Sequence, residues 1–425
     1  MNLQRKSRCT AGRLPLLPLL LIAVSAHAAS VCDARKYGAL GDGHTKDTHA
    51  LQSAIDDCAR RGGGFVLLAG GTFLSGPLVL RSHIHLDIES GATLLGSADH
   101  NDYPRVTVLR DQGRQSLISA TGAEDLTISG GGVIDGNGQS WWDEVRDQKD
   151  HGVMDAGVFR PRLMVFDHCR HILIENVTVQ NSPSWQIVPY YSDDVTIRDG
   201  KILAPPHSPN TDGIDPFSSH HVTITRMTID VGDDNVAIKS GQPGSLGPDD
   251  PSTDITVTDC VFLHGHGLSV DSEIAGGVQN VRAERIQFRG TTNGVRVKSN
   301  RDRGADIGNF DFRDLTMEDV ATPLLITEYY PHIPEHDTAQ PVIRLTPRFH
   351  DIHISGLTAT DAKDAGFIVG LPESPVLGVI LDHVHLEGHN GLTISYARVT
   401  THDVSVVSAV PQSMIQLAGA TVAKQ

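Results

Sequence analysis

A short phrase that recurs along the chain constrains its fold more than any other feature. Each copy is a polar residue followed by aliphatic residues at every second position, and five copies begin their aliphatic run at Ile172, Val195, Val222, Ile255 and Val281. Successive starts are thus roughly 20 to 35 residues apart, which is too short for strand–helix–strand units but regular enough for the turns of a solenoid. Further copies begin at Ile352, Val379 and Val404. The alternation predicts short strands with one buried face.

We therefore predict an all-β fold, a single-domain right-handed parallel β-helix of roughly ten coils. Between Asp47 and Arg61 the apolar residues recur at helical spacing, which predicts one helix that caps the open N-terminal end of the solenoid. A β-sandwich is the alternative, but its hairpin signals are scarce in this chain. The segment from Trp141 to Arg162 and the proline-rich segment from Tyr329 to Pro347 are expected to be loops beside a binding groove.

The segment from Met1 to Ala28 has the layout of a secretory signal peptide. Four basic residues precede an apolar run from Leu14 to Val24, and a small-residue cleavage site ends at Ala28. We expect a catalytic domain over residues 29–425 that is secreted and does not span a membrane. Removing four positive charges changes the formal net charge from −16 to −20, which speaks against nucleic-acid binding.

Four cysteines remain after the predicted cleavage. Export permits a disulfide, and we expect Cys32 to pair with Cys58, because that bond would join the mature N-terminus to the predicted helix. Cys169 and Cys260 lie in strand-like runs and are expected to be reduced core residues.

Acidic and basic residues are repeated at the spacing of the coils. Asp212 lies about one coil length before Asp233, which is followed directly by Asp234, and His266 and Arg296 each lie about one coil length further on. Because stacked coils rise by about 4.8 Å, these side chains are expected to line one outer wall. Asp233 and Asp234 can face one cleft only at a bend, which Gly232 would permit. Lys298 follows Arg296 at the spacing that points both side chains the same way.

This constellation suits the hydrolysis of a sugar polymer. Glycoside hydrolysis needs one protonated carboxyl group for the leaving oxygen and one carboxylate that acts on water or on the sugar. Crowding of three acids raises the pKa of at least one of them, and the central acid is the natural proton donor. A neighbouring basic pair indicates that the sugar itself carries a carboxylate.

Four motifs, in this order and spacing, resemble the signatures of the polygalacturonases of glycoside hydrolase family 28. They are Asn210-Thr211-Asp212-Gly213, Gly232-Asp233-Asp234, Gly265-His266-Gly267-Leu268-Ser269 and Arg296-Val297-Lys298-Ser299. The resemblance covers nearly all of the mature chain and is closest to the bacterial endo-acting enzymes. It implies a solenoid of the pectin-lyase type and hydrolysis, with inversion, of α-1,4 bonds between galacturonates in polygalacturonate or pectin.

The resemblance also implies roles for individual residues. Asp233 would be the general acid, Asp212 and Asp234 would activate water, and His266 would interact with the acid. The substrate would be held by Arg296 and Lys298, which would bind the galacturonate carboxylate, and by Asn210 and Tyr330. No metal or cofactor is implied, and we expect a monomer with an acidic pH optimum.

Two residues depart from common family patterns, and one of them is Asn235, which follows the acid pair as in bacterial members. Asp271 stands where relatives commonly have glycine, and its carboxylate would either repel a nearby galacturonate or face solvent. Exo action and hydrolysis of rhamnogalacturonan or xylogalacturonan stay open within the family. More distant alternatives are a pectate lyase, which would use calcium and an arginine base, and a non-catalytic β-helix that binds the polymer.

Overall fold

The computed structural model describes Met1 and residues 30–152, 159–242, 244 and 249–424. Apart from Met1, the predicted signal peptide over residues 1–28 lies outside the described residues. No helix within these ranges is long and apolar enough to cross a bilayer.

The repeated phrases form one wall of a parallel solenoid. Ile172 pairs with Val195, and the same register continues through Val222 and Ile255 to Val281, so the five starts predicted from the sequence lie side by side. Since parallel crossovers within a sheet are right-handed, the chain winds as a right-handed parallel β-helix, and the predicted fold is confirmed. The aliphatic residues of these strands are buried inside the coil.

Three walls are built from successive strands. The short strands of the first wall are Ser30–Asp33, Gly64–Leu68, Ile84–Ile88, Glu124–Ser129, Arg170–Glu175, Asp193–Arg198, His220–Thr225, Ser252–Thr258 and Thr421–Lys424. Those of the second wall are Asp42–Lys46, Gly71–Ser75, Ala92–Gly96, Val133–Asp135, Thr178–Gln180, Lys201–Leu203, Thr228–Asp230 and Val261–Leu263. Those of the third wall are Leu78–Val79, Ile118–Thr121, Met164–Asp167, Ile187–Tyr190, Val236–Ile238, Leu268–Val270, Asn293–Lys298, Thr322–Thr327 and Met414–Gln416.

Toward the C-terminal end the strands become longer and run through the corners between walls. These strands are Val278–Arg289, Asp306–Glu318, Arg348–Val369, Val376–Ser395 and Ala397–Ser408. Ile214 and Phe217 make single bridges that connect the third wall between Ile187–Tyr190 and Val236–Ile238. The strands Arg105–Val108 and Asp111–Arg114 form a separate antiparallel hairpin.

The corners explain why a polar residue precedes each aliphatic run. His171, Asp194, His221, Asp254 and Asn280 all have φ between 51° and 59°, the left-handed conformation that Asn, Asp and His tolerate better than branched residues. A second corner carries alternating charges in the same conformation. There Arg226 contacts Asp199 at 2.6 Å and Arg285 contacts Asp259 at 2.7 Å, each pair joining neighbouring windings.

The predicted N-terminal helix, α1, spans Thr48–Arg60 and buries Leu51, Ile55 and Cys58 against the first windings. Asp47 precedes it as expected. Its carboxylate, however, accepts hydrogen bonds from the backbone N–H groups of Leu40 and Gly41 instead of capping the helix. Short 3-10 turns lie at Ala34–Tyr37 and His100–Asp102.

A second helix, α2, spans Gln139–Asp150, so the prediction of a loop from Trp141 onward was wrong there. Trp141 and Val145 are one turn apart and both are buried, together with Trp142. The Trp142 indole N–H donates to the Ser182 carbonyl at 3.0 Å, which fixes the helix to the solenoid. This apolar face, within an otherwise polar segment, makes the segment helical.

The cysteines correct one expectation. Cys32, Cys58, Cys169 and Cys260 are all buried free thiols, so the expected bond between Cys32 and Cys58 is not formed in this structure. The Cys58 Sγ is directed toward the carbonyl oxygens of Ser30 and Phe65, at 3.9 and 3.7 Å. Burial and a hydrogen bond with the Cys32 thiol raise the pKa of Cys58 to about 12. Cys169 and Cys260 are reduced core residues, as predicted.

Candidate active site

The third wall positions the predicted basic residues. Strand pairing places Ser269 beside Arg296, and the next outward-facing position carries Lys239, Asp271 and Lys298 on successive windings. Because side chains two apart in a strand share a face, both rows lie on the outer surface of this wall. Arg296 and Lys298 therefore point to the same side of the wall, as their spacing in the sequence predicted.

The three predicted acids lie in the turns that enter this wall. Asp233 follows Gly232 in a bend, as expected, although the reason for the glycine is close packing: a Cβ there would lie 2.3 Å from the Ser208 carbonyl oxygen. One carboxylate oxygen each of Asp212, Asp234 and Asp271 lies within 4.8 Å of the others. Asp233 is connected to this group through Asp234, because one ligand atom each of Asp233, Asp234 and His266 also lies within 4.8 Å of the others.

Exposure separates the roles that the three acids can play. The Asp233 side chain is 24% exposed, whereas those of Asp212 and Asp234 are 4% and 2% exposed. Asp233 is therefore the acid that a polymer lying on the wall can contact directly. Asp212 and Asp234 lie beneath the surface.

Asp234 is held as a carboxylate. It accepts hydrogen bonds from the Ser269 hydroxyl at 2.7 Å and from the Arg296 guanidinium at 2.9 Å, and the Lys298 Nζ lies 3.5 Å away. Burial opposes ionisation, but Lys298 and Arg296 outweigh it and lower the pKa of Asp234. The two basic residues thus stabilise the negative charge of one acid.

Asp212 has the opposite environment. Burial and the neighbouring carboxylates of Asp233 and Asp215 raise its pKa well above the ordinary value, and Lys239, whose Nζ lies 3.8 Å from it, lowers the pKa only in part. Crowding therefore raises the pKa of one acid, as the sequence predicted, and that acid is Asp212.

His266 lies over the acids. Its Nδ1 is 3.1 Å from Asp233 Oδ1 and 3.7 Å from Asp234 Oδ1. The turn that carries it requires Gly267, which has a φ of +80° and whose Cβ would lie 2.2 Å from the Asn293 carbonyl oxygen. His266 is thus brought beside the acid with which it was predicted to interact.

Of the two further predicted substrate contacts, Tyr330 borders the same cluster and Asn210 is bound by Arg160. Lys298 Nζ lies 4.8 Å from the centre of the Tyr330 ring, and the Arg296 guanidinium carbon lies 5.8 Å from it. The Asn210 side-chain oxygen accepts from Arg160 at 2.6 Å, so part of its hydrogen-bonding capacity is used within the protein.

Sequence reasoning missed the buried Lys239. Its ammonium makes a short contact with Asp271 and lies 3.6 Å from Asp215, 3.8 Å from Asp212 and 3.5 Å from Glu273. It also lies 4.4 Å from the centre of the Trp185 ring. One buried cation therefore connects the predicted acid Asp212 to three further carboxyl groups. A signal was present, because Lys239-Ser240 repeats Lys298-Ser299 at the same position of the wall.

The family follows from comparison with known proteins. The sequence profile of glycosyl hydrolases family 28 matches residues 67–408, which include every residue of the site described above. The chain belongs to this family. It is therefore a glycoside hydrolase.

Individual relatives agree with this family membership. A probable polygalacturonase of Vitis vinifera is 33% identical over 399 residues, covering 89% of this chain and 78% of the relative. An endo-polygalacturonase of Pectobacterium carotovorum subsp. carotovorum is 33% identical over 300 residues, covering 67% and 72%. The crystal structure of a hyperthermoactive exopolygalacturonase from Thermotoga maritima superposes with a TM-score of 0.71 at 26% identity, covering 93% and 92%.

Proposed function

We propose that this family 28 hydrolase cleaves α-1,4-galacturonosyl bonds of polygalacturonate or pectin by an inverting single displacement. The observation that carries the proposal is the arrangement of the acids: a partly exposed Asp233 in front of the buried Asp212 and Asp234, beside Arg296 and Lys298. Relatives named as polygalacturonases support the choice of substrate.

In this mechanism Asp233 donates its proton to the leaving glycosidic oxygen, because it is the acid that the polymer reaches first. His266, 3.1 Å away, orients its carboxyl group. Asp212 and Asp234 direct and deprotonate the attacking water from beneath the sugar. Arg296 and Lys298 favour the carboxylate form of Asp234. Because the pKa of Asp212 is raised, the Asp212 carboxylate is the stronger base of the two once it has lost its own proton.

Arg296, Lys298 and Tyr330 form the surface on which the sugar beside the scissile bond rests. The sugar lies against these two cations, and the Tyr330 ring lies over both of them. Asn210 borders the site on the side of Arg160. These contacts hold the bond against Asp233, since hydrolysis depends on positioning as much as on proton transfer.

We further infer that the enzyme attacks within the polymer. The bacterial endo-polygalacturonase relative supports this mode, while the superposition on an exopolygalacturonase makes exo action the alternative. Product sizing from a long polygalacturonate distinguishes them. Endo action gives a rapid loss of viscosity with mixed oligomers, whereas exo action releases one small product while the viscosity persists.

The same digestion tests hydrolysis against elimination. Hydrolysis releases reducing ends without ultraviolet absorbance, and a chelator should not affect it. A pectate lyase would create an absorbing double bond and would lose its activity when calcium is removed. A non-catalytic β-helix would bind the polymer and release nothing.

Export also forms part of the proposal, because an enzyme acting on a cell-wall polymer must reach it outside the cell. The basic residues, the apolar run and the small residues up to Ala28 support a cleaved signal peptide. N-terminal sequencing of the protein recovered from the culture medium should begin at Ala29. A medium fraction without the protein would contradict export.

A further inference from the structure

Asp271 occupies a buried position between two lysines of the third wall. It follows the strand Leu268–Val270, and its backbone N–H donates to the Ile238 carbonyl at 3.0 Å, which fixes its register beside Lys239. On the next winding the aligned residue is Lys298. The side chain of Asp271 is 7% exposed, so the alternative that it faces solvent is excluded.

The carboxylate of Asp271 is fully engaged. One oxygen makes a short contact with the Lys239 ammonium. The other lies 2.5 Å from Lys298 Nζ and accepts from the Ser272 backbone N–H at 2.7 Å. Burial opposes ionisation, but Lys239 and Lys298 outweigh it and hold the pKa of Asp271 well below the ordinary value, which favours the anion.

Both bases beneath Tyr330 are consequently paired with protein carboxylates. Lys298 lies between Asp271 and Asp234, and Arg296 donates to Asp234. A substrate carboxylate arriving at Lys298 would be a further anion beside a charge that is already neutralised. Like charges at such distances repel strongly where water is largely excluded. An uncharged carbonyl at the same place still accepts hydrogen bonds from both bases and brings no charge.

We propose that Asp271 is a specificity-determining residue: it acts as a resident carboxylate on Lys298, so that the sugar bound over Lys298 and Tyr330 is one without a free carboxylate. Two units of pectic polymers have this chemistry, a methyl-esterified galacturonate and a neutral sugar. The inference rests on the proposed pectic substrate and refines which unit of the polymer occupies this position.

The test compares three polymers with the full-length mature enzyme: fully de-esterified polygalacturonate, the same polymer after methyl esterification, and a rhamnogalacturonan backbone. The value of kcat/KM is measured from reducing ends. The wild type is expected to cleave at least one uncharged-unit polymer no more slowly than the de-esterified one. Preference for the esterified polymer identifies the ester, and preference for rhamnogalacturonan identifies the neutral sugar.

Asp271→Asn then removes the charge while keeping the shape. We expect the ratio of kcat/KM values to shift toward de-esterified polygalacturonate by about tenfold, because Lys298 can then form a charged hydrogen bond with the substrate carboxylate. Asp403→Asn is the matched control, because it makes the same chemical change at an exposed carboxylate of the last windings, and its preference should equal that of the wild type. The unfolding midpoints of both variants are measured in parallel.

The outcomes are distinct. A wild type that strongly prefers the de-esterified polymer overturns the inference, even if Asp271→Asn fails to fold. A folded Asp271→Asn variant whose preference shifts by less than about twofold also overturns it. Loss of all activity in that folded variant overturns it too, because the residue would then be needed for turnover on every polymer. Release from none of the three polymers by the wild type contradicts the proposed function itself and removes the inference with it.

Discussion

Lys239 and Lys298 occupy the same position of the third wall, two windings apart, and both contact the carboxylate that lies between them. Through Lys239 the charge of Asp212 is connected to this row, and through Lys298 that of Asp234 is connected to it. The two buried acids of the site therefore belong to one network of alternating charge. Changing one member is expected to alter the proton affinity of the others, and such coupled groups titrate as a set.

Asp233→Asn should abolish turnover while leaving the fold intact. The amide keeps the shape and the partly exposed position of Asp233 but cannot supply the proton. Since a positioned general acid contributes 10²- to 10⁴-fold, we expect a loss of about a thousandfold in kcat for release of reducing ends. Polymer binding, measured by affinity electrophoresis, should persist. Asp403→Asn, which changes a carboxylate exposed at the last windings, is the control. Unchanged release by the Asp233 variant would refute its role.

Arg296→Gln should move the acidic limb of the kcat profile to higher pH. Arg296 and Lys298 lower the pKa of Asp234, so removing one of them raises that pKa, and Asp234 becomes protonated at a higher pH than in the wild type. At about pH 4 we expect a loss of tenfold or more that is partly recovered on raising the pH. The measurement is kcat at saturating substrate across the pH range. Arg285→Gln, at an exposed corner, should give the wild-type profile.

Asp215→Asn should make stability less sensitive to pH. Burial raises the pKa of Asp215 well above the ordinary value despite Lys239. Its protonated form therefore contributes stability that is fully present below the ordinary aspartate range and is lost as the pH rises through the raised value. The neutral amide avoids this loss, so at about pH 8 the variant should unfold a few degrees higher than the wild type. Thermal scans at about pH 4 and pH 8 check this. A variant that is less stable at about pH 8 would contradict it.

Trp141→Ala should destabilise the N-terminal part of the solenoid. The Trp141 ring is fully buried and stacks on His100 with 3.4 Å between ring centres. Removing it leaves a large cavity, which costs about 3–5 kcal/mol in free energy of unfolding. Urea denaturation measures the loss. Gln139→Ala, at the start of α2, offers an exposed comparison, and an equal loss there would show that helix formation, not the packing of the ring, is responsible.

Periodicity in the sequence was sufficient for the solenoid. The phrase that begins at Ile172 recurs because each winding needs the same inward-facing positions, and strand register follows from it. The phrase at Val404 belongs to a different position of the winding from the other copies. Val404 pairs with Val384, whereas Val399 pairs with Val379, so this copy follows the second corner and not the first. Both corners need a polar residue with positive φ, and the sequence does not distinguish them.

The network of buried charges was harder to predict, because the pKa values of its members depend on burial and on contacts between windings. Asp215 in isolation is compatible with an ordinary turn, and only the structure places it in a sealed position near Lys239. Similarly, the sequence shows that Asp271 departs from the family pattern but does not show which way its side chain points, since the lysines that contact it come from the windings before and after its own. Residues recognised by motif were brought together as expected. The groups that set their proton affinities come from positions without a motif.

The alternating charges at the second corner have a consequence for how such a coil can change length. Asp199, Arg226, Asp259 and Arg285 follow one another winding by winding, so Arg226 and Asp259 each face an opposite charge on both neighbouring windings. Deleting the single winding that carries Arg226 would set Asp199 against Asp259, two like charges, whereas deleting a pair of windings would restore the order. Insertions and deletions in this stretch of the solenoid are therefore expected to comprise pairs of windings.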